Sequence, residues 1–257
     1  MLIGAPNIDP ADRSPAGFPL LWDDAAMELT EAVRRRRMIR RYLPDPVPSD
    51  ILQNIVELGL RAPSAGFSQG WDFVVLAEPA EVQQFWNVTA AGDEPDNWLA
   101  GLQQAPVLIL CCSDKQTYLR RYAEADKPWQ DQQEAHWPVP YWDVDAGMAA
   151  MIILLATVDA GLGALFFGVM VDQLDAVRAA FAIPADRNII GVIALGYPAE
   201  TKPSGSTRSR KRRPTSEVVH NGRFGVPYGD SAEVESAGVE PAGVEPATIG
   251  DRVGDRS

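Results

Sequence analysis

Residues 143–163, DVDAGMAAMIILLATVDAGLG, read as a helix that is apolar on nearly every side and is stopped by Gly161 and Gly163. Such a helix has no polar face to offer water, so it is expected to be buried all round or to lie at a large subunit interface. Two shorter segments, PVLILCC (Pro106–Cys112) and NIIGVIALGYP (residues 188–198), are unbroken apolar runs of strand length and read as buried strands. A chain of 257 residues is long enough to place these in one large α/β or α+β unit. The longest uninterrupted apolar run, Met148–Ala156, is bracketed by Asp145 and Asp159 and falls short of the ~18 residues of a spanning helix, so none is expected. The opening MLIGAPNIDPADRS has neither a basic start nor a long apolar stretch, so no secretory signal is expected. The two cysteines, Cys111 and Cys112, are adjacent in an apolar run and cannot make a disulfide framework or a metal-ligand set. A cytoplasmic protein with no membrane partner fits these features.

Residues 1–22, rich in Pro and Gly, read as an irregular arm. A helix is expected from Asp23 or Asp24 to Met38, with Ala26, Leu29 and Val33 about a turn apart. The prolines of YLPDPVP break it. Ser49 then caps a second helix with Ile51, Leu52, Ile55, Val56 and Leu60 on one stripe, ended by Pro63. A glycine-rich turn, SAGFSQG, leads into the strand WDFVVLA. Residues 113–142 carry Tyr118, Tyr122, Trp129, Trp137, Tyr141 and Trp142 and read as an inserted lid or as an aromatic surface packing on a partner subunit, rather than as core. ALFFG is a short strand, and Asp172 is expected to cap a helix through Phe181. The folded domain is thus placed at residues 23–228. Residues 229–257 contain a tandem AGVEP repeat, seven acids, two arginines and no aromatic residue, and are expected to be disordered.

Charge is unevenly spread. The net charge of −12 argues against a nucleic-acid partner. Yet residues 34–41 (RRRRMIRR) hold six arginines, and residues 208–213 (RSRKRR) hold five basic side chains. Outside these windows the chain has 12 basic residues against 35 acidic ones. Like charges this dense repel unless they are solvated or neutralised by a bound anion, and a phosphate monoester suits arginine forks. The plainer reading is that each run is a solvated surface stretch.

Other motifs fail on context. GFSQG (residues 66–70) matches the G-x-S-x-G pattern, but a helix precedes it and a strand follows, the inverse of a serine-hydrolase elbow. GLGALFFG has neither dinucleotide nor phosphate-loop spacing. His136 and His220 lack a third ligand at usable spacing, so no metal is expected. No carboxylate pair stands out, and no side chain is assigned as catalytic. Phosphate-type cations without a catalytic side chain point to a bound cofactor that carries the chemistry.

The run RRRRMIRRYLPDPVPSDILQNIVELGLRAPSAGFSQGWDFVVL resembles the opening of the FMN-dependent nitroreductase family: an R-R-S-x-R-x-F motif, P-V-P, a helix, A-P-S, a glycine, then Q-P-W before a strand. DAGMAAMIILLATVDAGLGALFFG, IIGVIALGYP and a basic stretch ending at Pro214 continue the likeness, which spans roughly residues 28–224. The resemblance implies an α+β fold, a three-layer α/β/α sandwich, in an intertwined homodimer with FMN sites at the subunit interface. It implies that Arg36, Arg37 and Arg40, with Met38 among them, hold the phosphate and ribityl chain, that Ser64, Ala65 and Gly66 sit beside the flavin edge, and that the backbone of Phe166, Phe167 and Gly168 runs past the ring. Arg210 and Arg212 match the positions that complete the phosphate clamp. Phe67, Gln69 and Trp71 fall on the substrate side. NAD(P)H is the implied hydride donor to flavin N5, and a nitroaromatic, a quinone or another small electron-poor molecule the acceptor. Met38 replaces the family's serine, Phe67 its common asparagine and Gly70 the proline before Trp71. The Met38 and Phe67 departures leave open a flavin-binding or sequestering protein with little turnover.

Overall fold

The computed structural model describes residues 27–90, 97–199 and 209–228. They fall in two compact units, Met1–Gly205 and Ser206–Ser257. The expected Asp23 or Asp24 cap, the irregular arm and the acidic tail lie outside the described residues.

The central strand explains the architecture. β2 (Val107–Asp114) pairs antiparallel with β1 (Trp71–Leu76) on one side and β4 (Arg187–Gly196) on the other, and β4 pairs antiparallel with β3 (Gly163–Phe167), giving the order β1-β2-β4-β3. Strand side chains alternate between faces. Val107, Ile109 and Cys111 therefore join one core with Ile51, Leu52 and Ile55 of helix α2 (Ser49–Gly59) and Ala150, Ile153 and Leu154 of helix α6 (Tyr141–Asp159). Leu108, Leu110 and Cys112 join the other, with Val82, Phe85 and Trp86 of helix α3 (Pro79–Thr89) and Val177 of helix α7 (Leu174–Ala180). A strand covered by helices on both faces needs apolar residues at every position, which is why PVLILCC and IIGVIALG run unbroken. The result is the expected α+β, three-layer α/β/α sandwich. Its remaining helices are α1 (Leu29–Arg35), α4 (Asn97–Leu102) and α5 (Lys115–Tyr122).

Helix α6 buries Ala146, Ala149, Ile153 and Ala156 and leaves Tyr141, Val144, Met148 and Met151 exposed, so one of its apolar faces is open among the described residues. Among the described residues it is the one helix long and apolar enough to cross a membrane. That differs from the expectation drawn from uninterrupted runs, because the helix begins at Tyr141 and continues through Asp143 and Asp145. Its inner half packs on α2 and the sheet.

Several boundaries move. α1 stops at Arg35 rather than Met38. Arg36 leaves the helix at φ −50°, ψ 124°, and the chain then runs extended, with Met38 bridged to Ala164 and the Ile39 amide donating to the Ala164 carbonyl at 2.9 Å. This segment covers the outer edge of β3, which would otherwise present unpaired backbone groups. Ser49 is the first helical residue of α2 rather than its cap, and Asp172 sits in a 3₁₀ turn ahead of α7. The 113–142 segment is only partly peripheral. Ser113 and Asp114 finish β2, the Asp114 carboxylate caps α5 by accepting from the Thr117 amide, and Tyr118 and Trp142 are buried. Residues 123–140 form the irregular part.

In the second unit, helix α8 (Thr215–Val218) follows Pro214, and the chain turns back so that His220 bridges Pro227.

Candidate functional site

The arginine run divides by backbone trajectory. Arg35 ends α1 and pairs with Glu31 at 3.1 Å. Arg37 Nη1 donates to the carbonyls of Arg34 (2.6 Å) and Arg36 (3.0 Å), so its charge serves the C-terminal end of α1. Arg40 Nη1 donates to the Met38 carbonyl at 2.9 Å. Arg36 differs: its Nη1 is buried and has no hydrogen-bond partner among the described residues. A guanidinium nitrogen left in that state carries a desolvation penalty that a bound anion would offset. Met38 is half-buried against β3.

The parallel Met38–Ala164 bridge sets this segment beside β3, with Arg40 toward the Phe166 end and Arg36 toward Leu162. The side chains of Phe166 and Phe167 are committed to opposite cores. The Phe166 ring fills the space over Gly191, where an added Cβ would collide with it. Phe167 stacks on Trp86, ring centroids 6.0 Å apart. Gly168 is exposed with open space around it. What this strand end leaves open is therefore main chain.

The Ser64–Gln69 turn lies at the other edge of the sheet, just before β1. With the order β1-β2-β4-β3, two strands separate that edge from β3, roughly 14 Å at ~4.8 Å per strand. One chain thus lays residues 38–40 along β3 but does not bring Ser64, Ala65 and Gly66 to them. The turn is strained and heavily held. Gly66, Phe67 and Gln69 all have positive φ (61°, 56° and 53°), and two of the three are not glycine. The Ser64 hydroxyl accepts from the Gln69 amide, the Ser64 carbonyl from the Phe67 amide, and the Ala65 carbonyl from the Ser68 hydroxyl at 2.6 Å. Arg121 Nε donates to the Gly66 carbonyl at 3.0 Å, and the Asp145 carboxylate accepts from the Ala65 amide at 2.8 Å.

Phe67, 74% exposed, and Gln69 border a cleft of about 550 Å³ together with Glu57, Leu60, Arg61 and Ala62. Trp71 does not reach it. Its side chain is buried with Ala62, Ala146 and Ala149, because the first residue of β1 points into the core, and this removes Trp71 from direct contact with a ligand in that cleft. Gly70 is buried, and the Tyr118 ring occupies the space where its Cβ would stand.

The aromatic segment packs on the turn. Tyr122 lies against Gly66, stacks with Trp129 at 5.3 Å and meets Trp137 edge-on at 4.6 Å. His136 stacks on Trp129 and pairs with Asp131 at 2.7 Å. Arg210 and Arg212, in the second unit, are exposed and have no ion pair among the described residues, whereas Arg213 pairs with Glu217. Both thiols are buried. Burial pushes Cys112 up to about 11 and Cys111 higher still, so neither is a thiolate near neutrality.

Sequence reading missed Asp145, Tyr118 and Arg121, which hold the turn. The available signal was an aspartate set inside an otherwise apolar helix. Glu57 and Arg61, at the cleft, gave no signal beyond a helix surface.

Residues 33–197 match the Nitroreductase family. A protein of Methanothermobacter thermautotrophicus assigned as an NADH dehydrogenase/NAD(P)H nitroreductase is 30% identical over 177 residues, covering 68% of this chain and 79% of the relative. An NADH dehydrogenase of Thermus thermophilus is 30% identical over 190 residues, 68% of this chain and 88% of that protein. Among solved structures, a protein of Desulfovibrio desulfuricans assigned as a nitroreductase and solved in complex with FMN superposes with a TM-score of 0.57 at 26% identity, over 78% of this chain and 99% of that one.

Proposed function

The chain belongs to the Nitroreductase family, and on that footing we propose that it is an FMN-dependent oxidoreductase passing reducing equivalents from NAD(P)H to a nitroaromatic, a quinone or another small electron-poor acceptor. The observation that carries the reading is the buried Nη1 of Arg36, which has no hydrogen-bond partner among the described residues, at the start of an extended cationic segment beside β3. A phosphate monoester is the ligand whose geometry and charge such a group fits.

Arg36 and Arg40 would hold the phosphate and ribityl chain, with Met38 packed beside them. Arg37 supports the segment chiefly by capping α1. The main chain of Phe166, Phe167 and Gly168 would flank the ring, since the two phenyl groups are committed to the core. Bound FMN would supply the redox chemistry, taking hydride at N5 and returning electrons to the acceptor. The protein's part is to bind, orient and exclude water. Ser64, Ala65 and Gly66 lie at the opposite sheet edge, so they would border a flavin held by a second copy of the chain. The uncovered apolar face of α6 favours such a homodimer. Phe67 and Gln69 would then face the acceptor across the cleft.

Purified protein should take up FMN, turn yellow and oxidise NAD(P)H with a nitroaromatic or quinone acceptor. A preparation that stays colourless through an FMN titration overturns the proposal. If flavin binds but stopped-flow mixing with NAD(P)H gives no rapid bleaching, the protein sequesters flavin instead.

A further inference from the structure

Asp145 is a carboxylate with 2% exposure in a helix that is otherwise apolar from Ala146 to Ala156, and it has no ion-pair partner among the described residues. A buried charge without a cation is costly unless hydrogen bonds compensate it. Its Oδ2 accepts from two donors, the Ala65 amide and the Tyr118 hydroxyl, each at 2.8 Å. Neither donor is free to move. Tyr118 is fully buried, fills the space over Gly70 and packs edge-on against Trp137 and Trp142. Burial and the adjacent carboxylate push its phenol well above the ordinary range, so it stays a donor. Ala65 opens a turn with three left-handed residues, a conformation that persists only when its surroundings over-determine it. A Cβ at Gly70 would collide with the Tyr118 ring and the Asp114 carbonyl, so this position admits only glycine beside Tyr118. The pair therefore ties the turn, the aromatic segment and the core helix to one carboxylate oxygen.

We propose that Asp145 and Tyr118 are positioning residues that fix the Ser64–Gln69 backbone where it borders the flavin, and so tune both the flavin potential and the seating of the acceptor. This rests on the reading above that the turn lines an FMN site. Replacing Asp145 with Asn removes a negative charge that disfavours electron uptake, so the flavin midpoint potential should rise. Replacing Tyr118 with Phe keeps the charge and loses one tie. Acceptor KM should then increase by roughly tenfold, the scale of one hydrogen bond to a charged group.

Both variants should be compared with the wild type by hydrogen exchange of the FMN-free protein, by flavin potentiometry and by steady-state kinetics with 4-nitrobenzoate. Amides of residues 64–70 are expected to exchange roughly tenfold faster in each variant, while β2 and β4 keep wild-type protection. The inference is overturned if that turn exchanges at the wild-type rate in Tyr118→Phe. It is equally overturned if the turn loosens while potential and KM stay at their wild-type values. Should Asp145→Asn fail to fold, the near-isosteric Tyr118→Phe decides the matter by its exchange and KM. Wild-type protein that takes up no FMN overturns the functional reading as well, whereas an FMN-binding wild type with unaltered variants overturns this inference only.

Discussion

Of the six arginines between residues 34 and 41, Arg36 is the one that buries a guanidinium nitrogen with no partner among the described residues, while Arg37 spends its donors on the end of α1. The two should respond differently to truncation. Arg36→Ala is expected to weaken FMN binding by roughly 10- to 100-fold, the equivalent of one charge-assisted contact, with little change in thermal midpoint. Arg37→Ala is expected to cost about 0.5–1 kcal/mol of stability, the scale of a cation at a helix C-terminus, with a smaller effect on FMN. Fluorescence titration and thermal melts on both variants check the pair. Equal losses of FMN affinity would mean that the run acts as an undifferentiated patch. The density of arginine was legible in the sequence, but the division of labour was not. It depends on the helix stopping at Arg35, and that stop is made by Met38 and Ile39 pairing with Ala164, a residue more than a hundred positions away.

At the scale of elements, the buried strands were legible because residues covered on both faces must be apolar at every position, and the sheet obliges at Val107–Cys112 and Ile189–Leu195. The aromatic segment was harder, because aromatic and polar residues alternate there and only tertiary contacts sort Tyr118 into the core and Trp129 toward the outside. Asp114 joins three elements: it ends β2, caps α5 through Thr117 and faces Arg187 of β4 at 3.2 Å and Arg120 at 3.7 Å. Burial acts to raise its carboxyl, but the Thr117 hydrogen bonds and the two guanidinium groups outweigh it and hold the group below the ordinary carboxylate value. A depressed carboxyl stabilises the fold above its unfolded value, near pH 4, and the contribution fades as pH falls through the lower folded value. Asp114→Asn is therefore expected to cost about 1–3 kcal/mol at pH 7 and progressively less below about pH 4. Urea unfolding at pH 7 and at pH 3 measures both. An equal penalty at the two values would place the cost in packing rather than in charge.

At the scale of the whole molecule, the sheet order dictates what one chain cannot do. Residues 36–40 lie along the β3 edge and Ser64–Gly66 before β1 at the other, with β2 and β4 between them. If both groups touch one flavin, they belong to different copies of the chain, and flavin binding depends on assembly. The face that would mediate assembly is already apolar: Met148 and Met151, 37% and 40% exposed, sit on the outer side of α6 with Val144 and Tyr141. Because both side chains are exposed, glutamate at both positions should leave the sandwich folded while opposing dimerisation, since burying carboxylates in an apolar interface is unfavourable. The expected result for Met148→Glu/Met151→Glu is a protein of native circular dichroism that sediments as a monomer of 28.0 kDa and has lost most of its FMN affinity. A dimer that persists would move the interface elsewhere on the surface. A monomer that still binds FMN at wild-type affinity would place the whole flavin site within one chain, and Ser64, Ala65 and Gly66 would then have to be withdrawn from it. The paired readout of mass and flavin matters because either measurement alone leaves the α6 face and the two-edged site entangled.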